Sequence, residues 1–175
     1  HLVTGGNQSS LNGVYKLSAI CRKGEPLTPV MKISNSFEKA TNPGRKQVYR
    51  FYDKEGLALG DLITLDSEKV NPSEDIVFHH PTSEADYFTL KQSKYVTVKP
   101  MLSLYMKDGV RIGKAVSIKK IQEDVVQNLS NFHPSHKRMI NPHIYKVSLS
   151  KELKQLKTQL VIEAKERKEA QRDNS

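Results

Sequence analysis

The chain has a single cysteine, Cys21, among its 175 residues. One thiol excludes an internal disulfide framework and any all-cysteine metal site. It fits a reducing compartment, so a cytoplasmic protein is expected, with Cys21 read as a small residue at a strand end. No apolar run approaches the roughly 18 residues needed to span a bilayer, and no membrane segment is expected. The sequence also lacks an initiator methionine and a charged-then-apolar secretory leader. Instead Leu2-Val3-Thr4 runs straight into Gly5-Gly6, like the exit of a buried strand. There is no Walker loop, no complete Gly-x-Gly-x-x-Gly and no Gly-x-Ser-x-Gly.

What is present is ordinary for a globular domain, 37% hydrophobic and 27% charged, but with a net charge of +9. A basic balance suits nucleic acid, an acidic membrane surface or phosphorylated small molecules. The charge is segregated. Residues 66–86 carry Asp66, Glu68, Glu74, Asp75, Glu84 and Asp86 against Lys69. Residues 91–120 are cationic, with Asp108 the only acid. These cations sit at polar positions between apolar ones and are not interleaved with exposed aromatics, so solvated faces are the first reading and a nucleic-acid partner is not expected.

Periodicity then orders the elements. VYKLSAI (14–20) reads as a strand, RKGEPLTP as a turn and VMKIS (30–34) as the returning strand. Val48–Tyr52, the turn Asp53–Gly56 and Leu57–Leu65, interrupted at Gly60, form a hairpin. Residues 66–86 read as an exposed loop around the short apolar piece Ile76–Phe78. A second hairpin spans 101–114 around Asp108-Gly109, a pair that suits positive φ. Ile118, Ile121, Val125 and Leu129 then share one face of a helix capped by Ser117. A last helix starts after Ser150 with Leu153, Leu156, Leu160 and Ala164 on its apolar face, and fraying is expected beyond Ala164. Strands first and helices last argue for an α+β fold.

Chemistry-bearing residues are sparse. His79 and His80 are adjacent, so on a strand they face opposite ways. His133 and His136 stand beside Lys137 and Arg138, which repel a cation, so no metal is expected. Two stretches keep two readings each. Thr4–Ser10, with exposed amides and hydroxyls, is a phosphate cradle or a plain turn. Pro43-Gly44-Arg45-Lys46 presents two cations to an anion or to water.

Several segments in order carry a resemblance: Leu2-Val3-Thr4, LNGVYKL (11–17), EKATNPGRKQVYR (38–50), Phe78-His79-His80-Pro81, Ser135-His136-Lys137-Arg138, Asn141-Pro142, Tyr145, Val147, Leu149 and Ser150. Over residues 1–157 the chain resembles the C-terminal part of the nicotinate phosphoribosyltransferases. The resemblance implies the end of the irregular α/β barrel of a type II phosphoribosyltransferase catalytic core (1–37), a small hairpin-and-helix C-terminal domain (38–158) and a charged helical tail (159–175). It implies an enzyme that joins nicotinate to phosphoribosyl pyrophosphate in NAD biosynthesis, with ATP coupling through a phosphorylated histidine, a Mg²⁺ requirement and a homodimer. It places a Gly-x-Gly-Thr phosphate loop directly upstream of His1, so that His1, Thr4, Gly5 and Gly6 flank the phosphate site. Arg45-Lys46 matches the family's "GRK" as an anion or domain contact. None of the six histidines matches the phosphorylated one, so catalytic residues and cofactors are expected outside this segment, which alone is expected to be inactive. The rival readings are a basic binding module for RNA or an acidic partner, and a dimerisation domain whose stripes at 118–129 and 153–164 stay partly uncovered.

Overall fold

The computed structural model describes residues 15–32, 40–83 and 85–173. Its centre is the expected hairpin. β3 (Lys46–Tyr52) and β4 (Ala58–Leu65) pair antiparallel from Lys46 opposite Leu65 to Tyr52 opposite Ala58. The turn closes because the Asp53 carboxylate accepts from the amide of Leu57 (2.8 Å) and the Asp53 carbonyl from that of Gly56 (3.1 Å). The irregularity expected at Gly60 is a bulge: Phe51 faces Gly60 and Tyr52 faces Ala58, so Leu59 is the extra residue and β4 runs on unbroken.

Four further strands complete a mixed sheet. β5 (Ile76–His79), β6 (Tyr87–Leu90), β7 (Thr97–Pro100) and β10 (Val147–Leu149) give the order β6-β5-β10-β4-β3-β7. Only the β10–β4 pair is parallel. The exposed loop expected over 66–86 is thus corrected in its centre. Ile76–His79 is an interior strand and Phe78 is fully buried. Four residues are too few to display a period, and the acidic flanks masked them.

Alternation sends Phe51, Leu62 and Phe78 to one face, where Tyr95 joins them in the core, with Ile76, Phe88, Leu90 and Val98 packed around. Phe51 meets Phe78 and Tyr95 edge-on at 5.3 and 5.1 Å between centroids, while Phe78 stacks on Phe88 at 4.6 Å. The opposite face carries Leu149, which with Leu153 of α2 (Lys151–Asp173) is completely buried. α2 begins as expected: the Ser150 hydroxyl accepts from the amide of Leu153 (3.2 Å). It does not fray at Ala164. The tail is built of strong helix formers, and Gln159–Glu163 (2.9 Å) and Glu163–Arg167 (3.6 Å) bridge successive turns.

The peripheral elements are shorter than expected. β1 (Ala19–Ile20) and β2 (Thr28–Pro29) form a two-residue pair, and residues 33–34 of the expected returning strand lie outside the described residues. Pro29 has no amide to extend the ladder, and the Ser18 carbonyl is taken by Val30 (2.9 Å) and Gly44 (2.7 Å). In the second hairpin only β8 (Met106–Lys107) and β9 (Val110–Arg111) pair, around Asp108 (φ 50°) and Gly109 (φ 78°) as their sequence demands. Residues 101–102 are bound to β3 instead: Gln47 brackets the Leu102 backbone with two 3.0 Å bonds. α1 (Ile118–Ser130) has the expected cap, the Ser117 hydroxyl accepting from Lys120 N–H at 3.2 Å. No helix among the described residues is long and apolar enough to cross a membrane.

Candidate functional site

The GRK turn stands where the β1–β2 segment meets the main sheet. Gly44 lies at φ +78° with its amide bonded to Ser18, and a Cβ there would come to 2.9 Å from Leu65 Cδ2. Glycine therefore satisfies both the backbone angle and the close approach. Beside it opens a cleft of about 330 Å³, walled by Leu27, Pro29, Leu65 and Leu156 and rimmed by Arg45, Asp66 and Ser67.

The two cations of this turn go different ways. Arg45 is exposed on the cleft rim and meets Asp66 at 3.1 Å, a pair well open to solvent. Lys46 folds back, and its ammonium donates to the carbonyls of Asn42 (2.9 Å), Pro43 (3.3 Å) and Gly44. Partial burial pushes its pKa below the ordinary lysine value. Lys46 thus pins the turn, and Arg45, paired with Asp66, is the one whose guanidinium is exposed. Asn42 Oδ1 is buried without a hydrogen-bond partner among the described residues. His1, Thr4, Gly5 and Gly6 lie outside the described residues.

A second cluster, not foreseen, forms where β4 and β10 end side by side. Glu68 Oε1 accepts from the amide of Leu65 (2.6 Å) and the hydroxyl of Ser150 (2.8 Å). Its carboxyl also faces Glu152 in the first turn of α2. Burial first, then hydrogen bonding with Glu152, raises the pKa of Glu68. The same hydrogen bond lowers that of Glu152. The pKa of nearby His79 is pushed down, by desolvation and then by the charges of Lys154 and Lys151. Lys154 donates to the carbonyls of His80 (2.8 Å) and Ser83 (3.0 Å). Lys157 is 2% exposed, and burial lowers its pKa, followed by repulsion from Lys154.

On the same sheet face as Leu149, Arg50 of β3 lies directly across from Asp61 of β4. Arg50 grips both Asp61 oxygens at 2.8 Å, and the Tyr145 hydroxyl donates to Oδ1 at 2.8 Å. The guanidinium lies 4.9 Å from the Phe132 ring centroid. Hydrogen bonding to Asp61 raises the Arg50 pKa, and burial followed by the same carboxylate raises that of Tyr145. The network fastens the 132–145 segment to the sheet. Its sequence signal was available: a lone carboxylate inside an otherwise apolar strand, ALGDLITL.

Three further histidines serve the backbone. His80 Nδ1 accepts from Ser83 N–H (3.0 Å), and His133 Nδ1 accepts from Ser135 N–H (3.2 Å). His136 Nδ1 donates to the carbonyl of His143 (2.8 Å). Among the described residues no three His, Cys, Asp or Glu side chains gather as a metal would need. Three cations of 91–120 are engaged separately: Lys91 pairs with Asp75, Lys99 lies over Tyr52 and Lys120 pairs with Asp124.

Comparison with known proteins gives a consistent answer. The profile described as nicotinate phosphoribosyltransferase C-terminal domain matches residues 45–157. The chain is 35% identical over 170 residues to the nicotinate phosphoribosyltransferase of Bacillus subtilis (strain 168), covering 95% of this chain and 33% of that one. It is 34% identical over 157 residues to the Caenorhabditis elegans nicotinate phosphoribosyltransferase, covering 89% and 26%. The crystal structure of human nicotinic acid phosphoribosyltransferase superposes with a TM-score of 0.60 at 27% identity, covering 69% of this chain and 23% of the human one. The matches therefore span 23–33% of the length of these relatives. The match opens on Arg45 and closes on the second turn of α2, enclosing the six-stranded sheet and both clusters. The chain belongs to the nicotinate phosphoribosyltransferase family, within which residues 45–157 match the C-terminal domain.

Proposed function

We propose that this chain serves as the C-terminal domain of an enzyme that joins nicotinate to phosphoribosyl pyrophosphate, releasing pyrophosphate and forming nicotinate mononucleotide. The family match over 45–157 is the observation that carries this reading. The reaction asks for stabilisation of a developing oxocarbenium ion and a departing pyrophosphate, which is a task of placed charges and exclusion of water. The described residues suit support of such a site more than the chemistry itself. Lys46 and Lys154 are engaged with backbone carbonyls and Arg50 with Asp61. No step of the reaction is assigned to them. When ATP and Mg²⁺ are bound by such an enzyme they supply the phosphoryl group and charge neutralisation. Arg45, exposed at the GRK turn, is the side chain proposed to meet the catalytic part of the enzyme or an anion held there.

The test has two arms. The purified 175-residue chain should show no nicotinate-dependent pyrophosphate release. A chimera in which it replaces the matching C-terminal third of the Bacillus subtilis enzyme should release pyrophosphate when nicotinate is added. Turnover by the isolated chain, or a folded chimera that binds nucleic acid with a steep loss on adding salt and never turns over, overturns the reading.

A further inference from the structure

The core-facing side of the sheet hollows out at β10. Ser148 pairs with Leu62 of β4 and so shares its face, but its side chain is far smaller than those of Leu62 and Phe78. β10 also leaves β5 after the single pair Leu149–His79. The same register would set Val147 against Pro81, which has no amide to donate. One step past His79 the chain bonds to the start of β6 instead, His80 N–H donating to the Asp86 carbonyl (2.9 Å). A cavity of about 260 Å³ opens in this gap, with Phe88 and Ile144 among its apolar walls and His80, Asp86, Lys146 and Ser148 as its polar lining.

The polar groups of this cavity are uncommitted. Ser148 is only 6% exposed, yet its hydroxyl has no hydrogen-bond partner among the described residues. A buried hydroxyl in that state costs stability unless something fills the cavity and bonds to it. Lys146 makes no ion pair among the described residues, and its ammonium lies 3.9 Å from the centroid of the Phe88 ring. The Asp86 carboxylate is likewise unpaired among them. A cation and an anion that line one cavity without pairing, beside an apolar wall, complement a molecule that carries both charges and an apolar body. The volume falls below the roughly 300 Å³ at which drug-sized sites begin, so the molecule is small. We propose that this cavity binds a free amino acid with an apolar side chain. Lys146 takes its carboxylate, with a further bond from the Ser148 hydroxyl. Asp86 takes its ammonium, and Phe88 and Ile144 pack against its side chain. The site stands on this cavity alone and does not depend on the reaction proposed above.

The probes are L-phenylalanine and L-leucine, titrated into the isotopically labelled 175-residue chain and followed at the backbone amides by NMR. Saturable shifts should centre on Asp86, Phe88, Lys146 and Ser148. Two analogues of L-phenylalanine test the charges without altering the protein: phenylpropionate lacks the ammonium and phenethylamine lacks the carboxylate. Each should bind at least about tenfold more weakly than L-phenylalanine, because a charged hydrogen bond is lost and its protein partner is left unpaired. Asp86→Asn and Lys146→Met should each weaken L-phenylalanine by a similar factor and leave the circular dichroism unchanged, since both side chains are exposed. No saturation with either amino acid by about 10 mM, shifts centred elsewhere, or analogues that bind as well as L-phenylalanine each overturn the proposal.

Discussion

The Arg50–Asp61–Tyr145 network makes the sharpest prediction. Asp61→Ala removes two charge-assisted bonds of 2.8 Å from Arg50 and one from the Tyr145 hydroxyl. Arg50 is left with a side chain only 16% exposed and no counter-charge, and Tyr145 with an unpaired hydroxyl. Losing one partner of a buried pair costs about 3–5 kcal/mol, and the modest exposure here favours the lower end, about 3 kcal/mol. That is a large share of the roughly 5–15 kcal/mol that holds a domain folded. In a chain of this size it corresponds to a fall in Tm of about 6–12 °C. The double variant Arg50→Met, Asp61→Leu removes both charges and should recover most of the loss, because it no longer strands an ion. The exposed Arg45–Asp66 pair is the internal control: Arg45→Ala should change stability by less than about 1 kcal/mol. Equilibrium urea unfolding followed by circular dichroism measures all three. A cost for Asp61→Ala below about 1 kcal/mol, or no recovery in the double variant, would refute the argument that this pair is effectively buried.

The Glu68–Glu152 pair gives a pH dependence of defined sign. Glu68 has a raised pKa in the fold, so its contribution is complete below the unfolded carboxyl value and is lost as pH rises through the folded one. Glu152 and His79, both lowered, contribute in the opposite sense, losing stability as pH falls through their folded values. Thermal melts from about pH 4.5 to 8 should therefore show Glu68→Gln gaining on the parent as pH rises, and a constant offset between the two would count against a raised Glu68 pKa. Gly44→Ala should cost about 1–2 kcal/mol, from the left-handed backbone angle more than from the contact with the flexible tip of Leu65; urea midpoints check it, and a neutral result would mean that the turn rearranges. Leu153→Ala, at the fully buried contact of α2 with the sheet, should cost about 2–5 kcal/mol in the same assay. A cost under about 1 kcal/mol would show that α2 is not anchored there.

Local chemistry determined much of this protein from the sequence alone. The β3–β4 hairpin, the Asp108-Gly109 turn and the Ser117 and Ser150 caps each depend on residues within a few positions of one another. Family membership was legible for a related reason, since short segments such as GRKQVYR keep their order along the chain. The four-residue strands β5, β6 and β7 and the three-residue β10 were not legible, because so few residues cannot display a period. The parallel pairing of β10 with β4 joins residues more than eighty positions apart, and no local rule anticipates it. The same division runs through the charged groups. Arg45 and Lys46 are equivalent cations in the sequence. Only the fold turns one outward and bends the other onto the carbonyls of its own turn, because the Gly44 backbone angle brings those oxygens within reach. Glu68 and Glu152 are likewise two acids among nineteen until the ends of β4 and β10 place them face to face, where burial and their mutual hydrogen bond raise the pKa of one and lower that of the other.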